Sequence, residues 1–225
     1  MLDSLFRNFD SIIVLDVETT GLYPKRDEII ELAALRIDRT RDILSSGNEL
    51  DLLVKLSTGR HLPPVITGLT GISEKLLEDD GITKELACER FLALLDCSNP
   101  LLAAYNAQFD LNFIYHFLTR FGKADLLGSV KMLDAMTVYK DRRTYPHTLK
   151  DAVSAYKLKT QNTHRAIDDV KATFELLCAM EQECDDLERY INLFGYNPRY
   201  GINGRRIDSV RYLPQPYDAL KKLYE

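Results

Sequence analysis

The residues with the clearest chemical potential are five ionisable side chains in three short stretches. Asp16 and Glu18 lie two positions apart at the end of an almost wholly apolar run, residues 11–17 (SIIVLDV). On a strand such a pair points to one face, about 7 Å apart along the chain. Two carboxylates at the end of a buried strand are costly unless something positive sits between them. Hard divalent ions such as Mg²⁺ or Mn²⁺ favour oxygen ligands, so a metal is the natural partner. The plainer alternative is that both acids mark the solvated end of the strand. Asp110, in the stretch YNAQFD, falls in the first turn of an expected helix whose apolar stripe runs through Phe113, Ile114, Phe117 and Phe121. The helix dipole accounts for an acid there, by less than about 1 kcal/mol, but not for one on the apolar face. A metal shared with Asp16 would. Asn106, just before that helix, is placed to cap it. The third stretch, residues 164–169 (HRAIDD), sets His164 ahead of a helix with two acids in its first turn. Charge complementation at a helix N-terminus explains both acids equally well, and helical spacing alone leaves Asp168 and Asp169 as open alternatives.

Alternating strands and helices must bring these residues together. Residues 11–17 suit a buried central strand, and residues 28–37 follow a Gly-Leu-Tyr-Pro turn as its partner. Residues 49–56 complete an opening meander. An amphipathic helix over 83–96 buries Leu86, Phe91, Leu94 and Leu95. A short strand over 101–105, a helix over 109–121 ended by Gly122, and a strand over 130–133 come next. Asp134 caps a short helix beginning at Ala135. His147 begins a helix over 148–156, and residues 164–183 hold a long helix with Ala166, Val170, Phe174 and Leu177 at helical spacing. His61 and His116 belong to no motif. This order predicts an α/β fold, a mixed β-sheet flanked by α-helices. The main domain is expected over residues 1–184, with residues 185–225 an irregular extension docked on it. That extension concentrates Arg199, Arg205, Arg206 and Arg211 against Asp208 alone over 195–213. Packing through Tyr196, Tyr200 and Tyr212 is the plain expectation, and contact with phosphate or a partner protein the alternative.

Composition bounds these readings. The chain has 225 residues, enough for a core that needs no disulfides. Its four cysteines have no metal-site spacing, which predicts reduced thiols and a cytoplasmic protein. No apolar run is long enough to span a membrane, and the first ten residues lack an apolar signal core. A net charge of −5 argues against a nonspecific duplex-coating protein, but a metal-neutralised carboxylate cluster can still attract phosphate.

The three stretches together, Asp-x-Glu-Thr-Thr-Gly-Leu at 16–22, Asn-Ala-x-Phe-Asp at 106–110 and His-x-Ala-x-x-Asp at 164–169, resemble the DEDDh exonuclease family in order and spacing. Within it the chain is most similar to the proofreading exonucleases of bacterial replicative polymerases, the DNA polymerase III epsilon subunit and the PolC-type domain. The resemblance implies a ribonuclease H-like fold and two divalent metal ions, Mg²⁺ or Mn²⁺, held by Asp16, Glu18, Asp110 and Asp169. It makes Asp169 rather than Asp168 the fourth acid and His164 the base that deprotonates water. It implies contacts from Thr19, Gly21, Leu22, Asn106 and Phe109 to the terminal nucleotide, with Leu22 and Phe109 against the base unless they serve the core. The substrate is then a single-stranded 3′ end, DNA before RNA, trimmed to nucleoside 5′-monophosphates, with a polymerase subunit as expected partner. An RNA-trimming exoribonuclease of the same fold is the alternative. A noncatalytic binding module would tolerate loss of these residues, and all five are present. One departure is Tyr105, where the family often has histidine before the asparagine of the second motif.

Overall fold

The computed structural model describes residues 2–39, 48–160, 164–217 and 221–225. Its elements run α1 (Asp3–Phe6), β1 (Ser11–Thr19), β2 (Ile29–Asp38), β3 (Glu49–Leu53), α2 (Pro64–Thr70), α3 (Glu74–Asp79), α4 (Lys84–Leu95), β4 (Pro100–Ala104) and α5 (Ala107–Thr119). There follow α6 (Leu126–Ser129), β5 (Lys131–Asp134), α7 (Ala135–Arg142), α8 (Leu149–Ala155), α9 (Ala166–Glu183), a 3₁₀ turn (Leu187–Tyr190), β6 (Leu193–Tyr196) and β7 (Arg211–Pro214). Five strands form one sheet in the order β3-β2-β1-β4-β5. β1 is antiparallel to β2 and parallel to β4, which is the mixed α/β architecture expected.

β1 is central and buried on both sides because Ile12, Ile13, Val14, Leu15 and Val17 are apolar on both of its faces. Ile12 and Val14 join Ala166, Val170, Leu176 and Leu177 of α9 in one core layer. Ile13, Leu15 and Val17 join Phe91 of α4 and Phe113, Ile114 and Phe117 of α5 in the other. Strand alternation therefore assigns Asp16 and Glu18 to the α9 side of the sheet. Glu18 lies opposite Glu31 in the β1–β2 register, so Glu31 shares that side.

Several expectations shift. The third strand stops at Leu53, and Val54, which still donates to Ile30 O at 2.8 Å, also bridges Ile82. On α4 the buried stripe is Ala87, Cys88, Phe91 and Leu94; Leu86 and Leu95 are only half-buried, a rotation of the stripe by about one position. Phe121 lies beyond α5 and, like Phe174 on α9, is half-buried. The extension is not irregular throughout, since β6 and β7 pair in parallel within it. Its anchors are Phe194, which is buried, and Gln215, whose amide donates to Thr137 O and Asp141 Oδ1 at 2.8 and 2.7 Å. Tyr200 is not an anchor: it is 68% exposed. Cys88 is buried, the other three cysteines are half-buried, and none forms a disulfide. Among the described residues no helix is long and apolar enough to cross a membrane.

Candidate metal centre and strand-end cleft

Carboxylate oxygens of Asp16, Glu18 and Asp169 all lie within 4.8 Å of one another. β1 supplies two because residues i and i+2 share its α9-facing side. α9 supplies the third because Asp169 sits in its first turn, turned inward and buried. Asp168, its half-buried neighbour, stands outside the cluster. Asp110 arrives from α5, in the layer on the other side of the sheet, and is also buried. Its Oδ1 accepts a hydrogen bond from Val17 N at 3.1 Å, which ties it to β1 between Asp16 and Glu18.

Burial raises the carboxyl pKa of Asp16 far above its ordinary value, and Asp110, Asp169, Glu18 and Glu31 push it further. Glu18 is raised to about 8 by burial, then by Asp169 and Glu31, with Arg165 in opposition. Burial also raises Asp110, against the Val17 hydrogen bond. Among the described residues no cation lies within ion-pair distance of Asp16, Glu18 or Asp110; Arg165, which opposes the shift at Glu18, is bonded to Glu31. Such an all-oxygen, anionic and crowded donor set suits a hard divalent cation. Exonucleases of this kind use divalent metals.

His164 is exposed and lies outside the oxygen cluster. It adopts a left-handed backbone conformation, φ 60°, two residues before α9. The next residue is firmly held. Arg165 Nε and Nη2 donate to Glu31 Oε1 at 2.8 and 2.6 Å, and Ala166 N donates to Glu31 Oε2 at 2.9 Å. Glu31, wholly buried, thus fixes the entry to α9 that carries both His164 and Asp169. The sequence signal for it was available: a lone acid inside the apolar strand IIELAALRI needs a partner.

The turn after β1 is self-supporting. Thr19 is buried and donates to Gly21 O at 2.6 Å, while Asp27 accepts from Tyr23 N at 2.8 Å. A Cβ on Gly21 would meet the Asp27 carboxylate at 2.5 Å, so only glycine leaves room for that contact. The turn holds Leu22 out at 68% exposure, which rules out a core role for it. Phe109 is half-buried and packs on Phe113 at 5.0 Å between centroids. Leu22, Asn106, Phe109, Asn203 and Gly204 line one cavity, so the C-terminal segment forms part of its wall.

Asn106 does not cap α5 with its side chain. It adopts φ 66°, and the carboxylate of Asp134 takes over, accepting from Asn106 N and Ala107 N at 3.0 and 3.1 Å. The same carboxylate caps α7, accepting from Met136 N at 3.2 Å and Thr137 Oγ1 at 2.6 Å. Gln108 is committed to the extension: its amide nitrogen donates to Asn203 O and Arg205 O at 2.7 and 2.8 Å, and its oxygen accepts from Tyr212 OH at 2.6 Å. Tyr105 is buried and donates to His147 O at 2.9 Å, a structural use of the position.

A family model described as an exonuclease, RNase_T, matches residues 13–177. The PolC-type DNA polymerase III of Caldanaerobacter subterraneus subsp. tengcongensis is 29% identical over 221 residues, 95% of this chain and 15% of that protein. That of Clostridium perfringens is 31% identical over 172 residues, 75% of this chain and 11% of that protein. The chain thus spans a small fraction of these relatives. Among solved structures, E. coli exonuclease I in a zinc-bound complex with single-stranded DNA superimposes with a TM-score of 0.72 at 18% identity, covering 81% of this chain and 42% of that one. Exonuclease I of Methylocaldum szegediense gives 0.67 at 19% identity, covering 79% and 41%. These likenesses establish the ribonuclease H-like fold.

Proposed function

We propose that this chain, which belongs to the RNase_T exonuclease family, removes single nucleotides from the 3′ end of single-stranded DNA and serves a replicative polymerase in the cytoplasm. The observation that carries the reading is the convergence of Asp16, Glu18 and Asp169 oxygens within 4.8 Å, with an exposed histidine two residues ahead of the helix that carries Asp169. The PolC-type relatives favour DNA and a polymerase partner over an RNA-trimming role.

Asp16, Glu18, Asp110 and Asp169 would hold two divalent ions, Mg²⁺ or Mn²⁺, which would supply charge neutralisation at the phosphodiester and a lowered pKa for bound water. The chain's own residues do the rest. His164 takes the proton from the attacking water; its exposure keeps its ring open to exchange with solvent. Leu22 and Phe109 pack on the terminal base, an apolar contact that reads no sequence. Thr19 and Gly21 hold the turn that presents Leu22, and Asn106 lines the same cavity. Glu31, through Arg165, keeps His164 and Asp169 in register with β1.

The test is a nuclease assay on 3′- and 5′-labelled single strands of DNA and matched RNA, with Mg²⁺, Mn²⁺ or chelator. Stepwise loss from the DNA 3′ end, dependent on metal, is expected. Release from the 5′ end, or activity in chelator, overturns the reading; preference for RNA transfers it to the exoribonuclease alternative.

A further inference from the structure

We propose that Lys140 forms a phosphate subsite that holds a backbone phosphodiester of the substrate strand upstream of the cleaved bond. This inference rests on the nuclease reading above. Lys140, on α7, is only 7% exposed, yet among the described residues its ammonium makes neither a hydrogen bond nor an ion pair. The stem is enclosed while the ammonium nitrogen keeps access to solvent, and an anion that enters there would pair with it. Burial pulls its pKa below the ordinary lysine value, which Asp134 opposes.

Lys140 lines a cavity of about 130 Å³, together with Asn106, Gln108, Asn197, Asn203 and Tyr212. That is several times the ~30 Å³ share of one water, so a larger polar guest fits. Asp134 is the one other charged side chain in the described lining, and its carboxylate is already occupied by four donors. The side-chain amides of Asn106, Asn197 and Asn203 around Lys140 offer donors without adding negative charge, whereas that of Gln108 is already engaged. Position assigns the anion. This cavity shares Asn106, Gln108 and Asn203 with the one lined by Leu22 and Phe109, so the two form neighbouring stations of one cleft. A strand whose terminal base rests on Leu22 and Phe109 would bring an earlier phosphate to Lys140. The C-terminal segment closes the cleft from the far side.

The test measures equilibrium binding of a fluorescent oligothymidylate to the full chain in chelator, across a range of salt concentration. Wild type, Lys140→Met and Lys140→Arg are compared. Lys140→Met should weaken binding about five- to tenfold and lower the log–log salt slope by about 0.7, the value for one phosphate contact on a single strand. Lys140→Arg should keep the slope. Because a substitution at a buried position can disturb folding, the strand is varied too: a single neutral methylphosphonate is walked along it. In wild type one linkage should be sensitive, and in Lys140→Met that linkage should lose its effect. Equal affinity and slope for wild type and Lys140→Met, or methylphosphonate losses that add to the substitution at every linkage, overturn the subsite. Inorganic phosphate that raises the melting temperature of wild type but not of Lys140→Met, with no difference in strand binding, would assign the site to free phosphate and overturn its role with the strand. A wild-type chain that cleaves no strand in metal sinks the nuclease reading itself, a result distinct from all of these.

Discussion

Glu31 and Arg165, 134 positions apart in the chain, are joined through two guanidinium nitrogens at 2.8 and 2.6 Å, and the same carboxylate accepts Ala166 N. The middle strand of the opening meander thereby sets the start of the last long helix. Glu31→Gln keeps the shape but loses the charge. It should lower kcat roughly 10- to 100-fold, since misplacing a catalytic group by about 1 Å has that scale of effect. Stability should fall by about 1–3 kcal/mol, the cost of weakening a charged hydrogen bond at a buried group. Arg165→Met should do the same, and the double variant should be no worse than either single one. Additive losses in kcat would show that the pair does not act as a unit.

The acid cluster should make the metal-free protein less stable as pH rises. Glu18 moves from an ordinary 4.5 to about 8 in the fold, so between those values the folded state holds more protons than the unfolded one. Stability contributed by protonated Glu18 is present below about 4.5 and lost as pH rises through about 8. Denaturant melts in chelator from pH 5 to 8.5 should show the fall, and Mg²⁺ or Mn²⁺ should reverse it at the upper end. A flat profile in chelator counts against the crowded cluster.

Asp16→Asn should separate stability from activity. Asparagine removes a carboxyl whose charged form burial disfavours and Asp110, Asp169 and Glu18 crowd, so the metal-free variant should gain on the order of 1 kcal/mol at pH 8, about the worth of one pKa unit. Its cleavage of single strands should vanish. Retained activity in Mg²⁺ would remove Asp16 from the metal site.

His164→Ala should reduce turnover by roughly 10²- to 10⁴-fold, the usual contribution of a positioned base. Calorimetric Mn²⁺ binding should persist, because the imidazole lies outside the oxygen cluster. Unchanged turnover at neutral pH rejects His164 as the base.

Asp134→Ala removes the carboxylate that serves the starts of α5 and α7 together. With two caps at about 1 kcal/mol each, a loss of about 2 kcal/mol is expected, or roughly 4–8 °C in Tm for a chain of this size. A shift under about 2 °C would mean that the two helix ends find other partners.

The parts of the site that follow from strand alternation were readable directly. Asp16 and Glu18 share a face because any strand would put them there, and the apolar run flanking them identifies the strand. Asp110 was readable from its conflict with an apolar helix face. Asp169 over Asp168 was not, since both fit the first turn; the angle at which α9 meets β1 decides it. Asn106 misled because Asn before a helix ordinarily caps, whereas here Asp134, from a distant strand, reaches that end first. Glu31 hid among apolar neighbours, and its partner is set only when α9 docks. Lys140 carries no signal in the sequence, because its burial depends on how β6 and the following loop fold over α7.

Gln108 occupies the variable position of the second motif, yet its whole amide is engaged by Asn203, Arg205 and Tyr212. The motif and the tail are therefore one inheritable module. A chimera that takes its exonuclease body from one relative and its last forty residues from another must carry a matched residue 108, or the seam opens beside the cleft. A position that looks free to vary in the motif is held by a segment almost a hundred residues away.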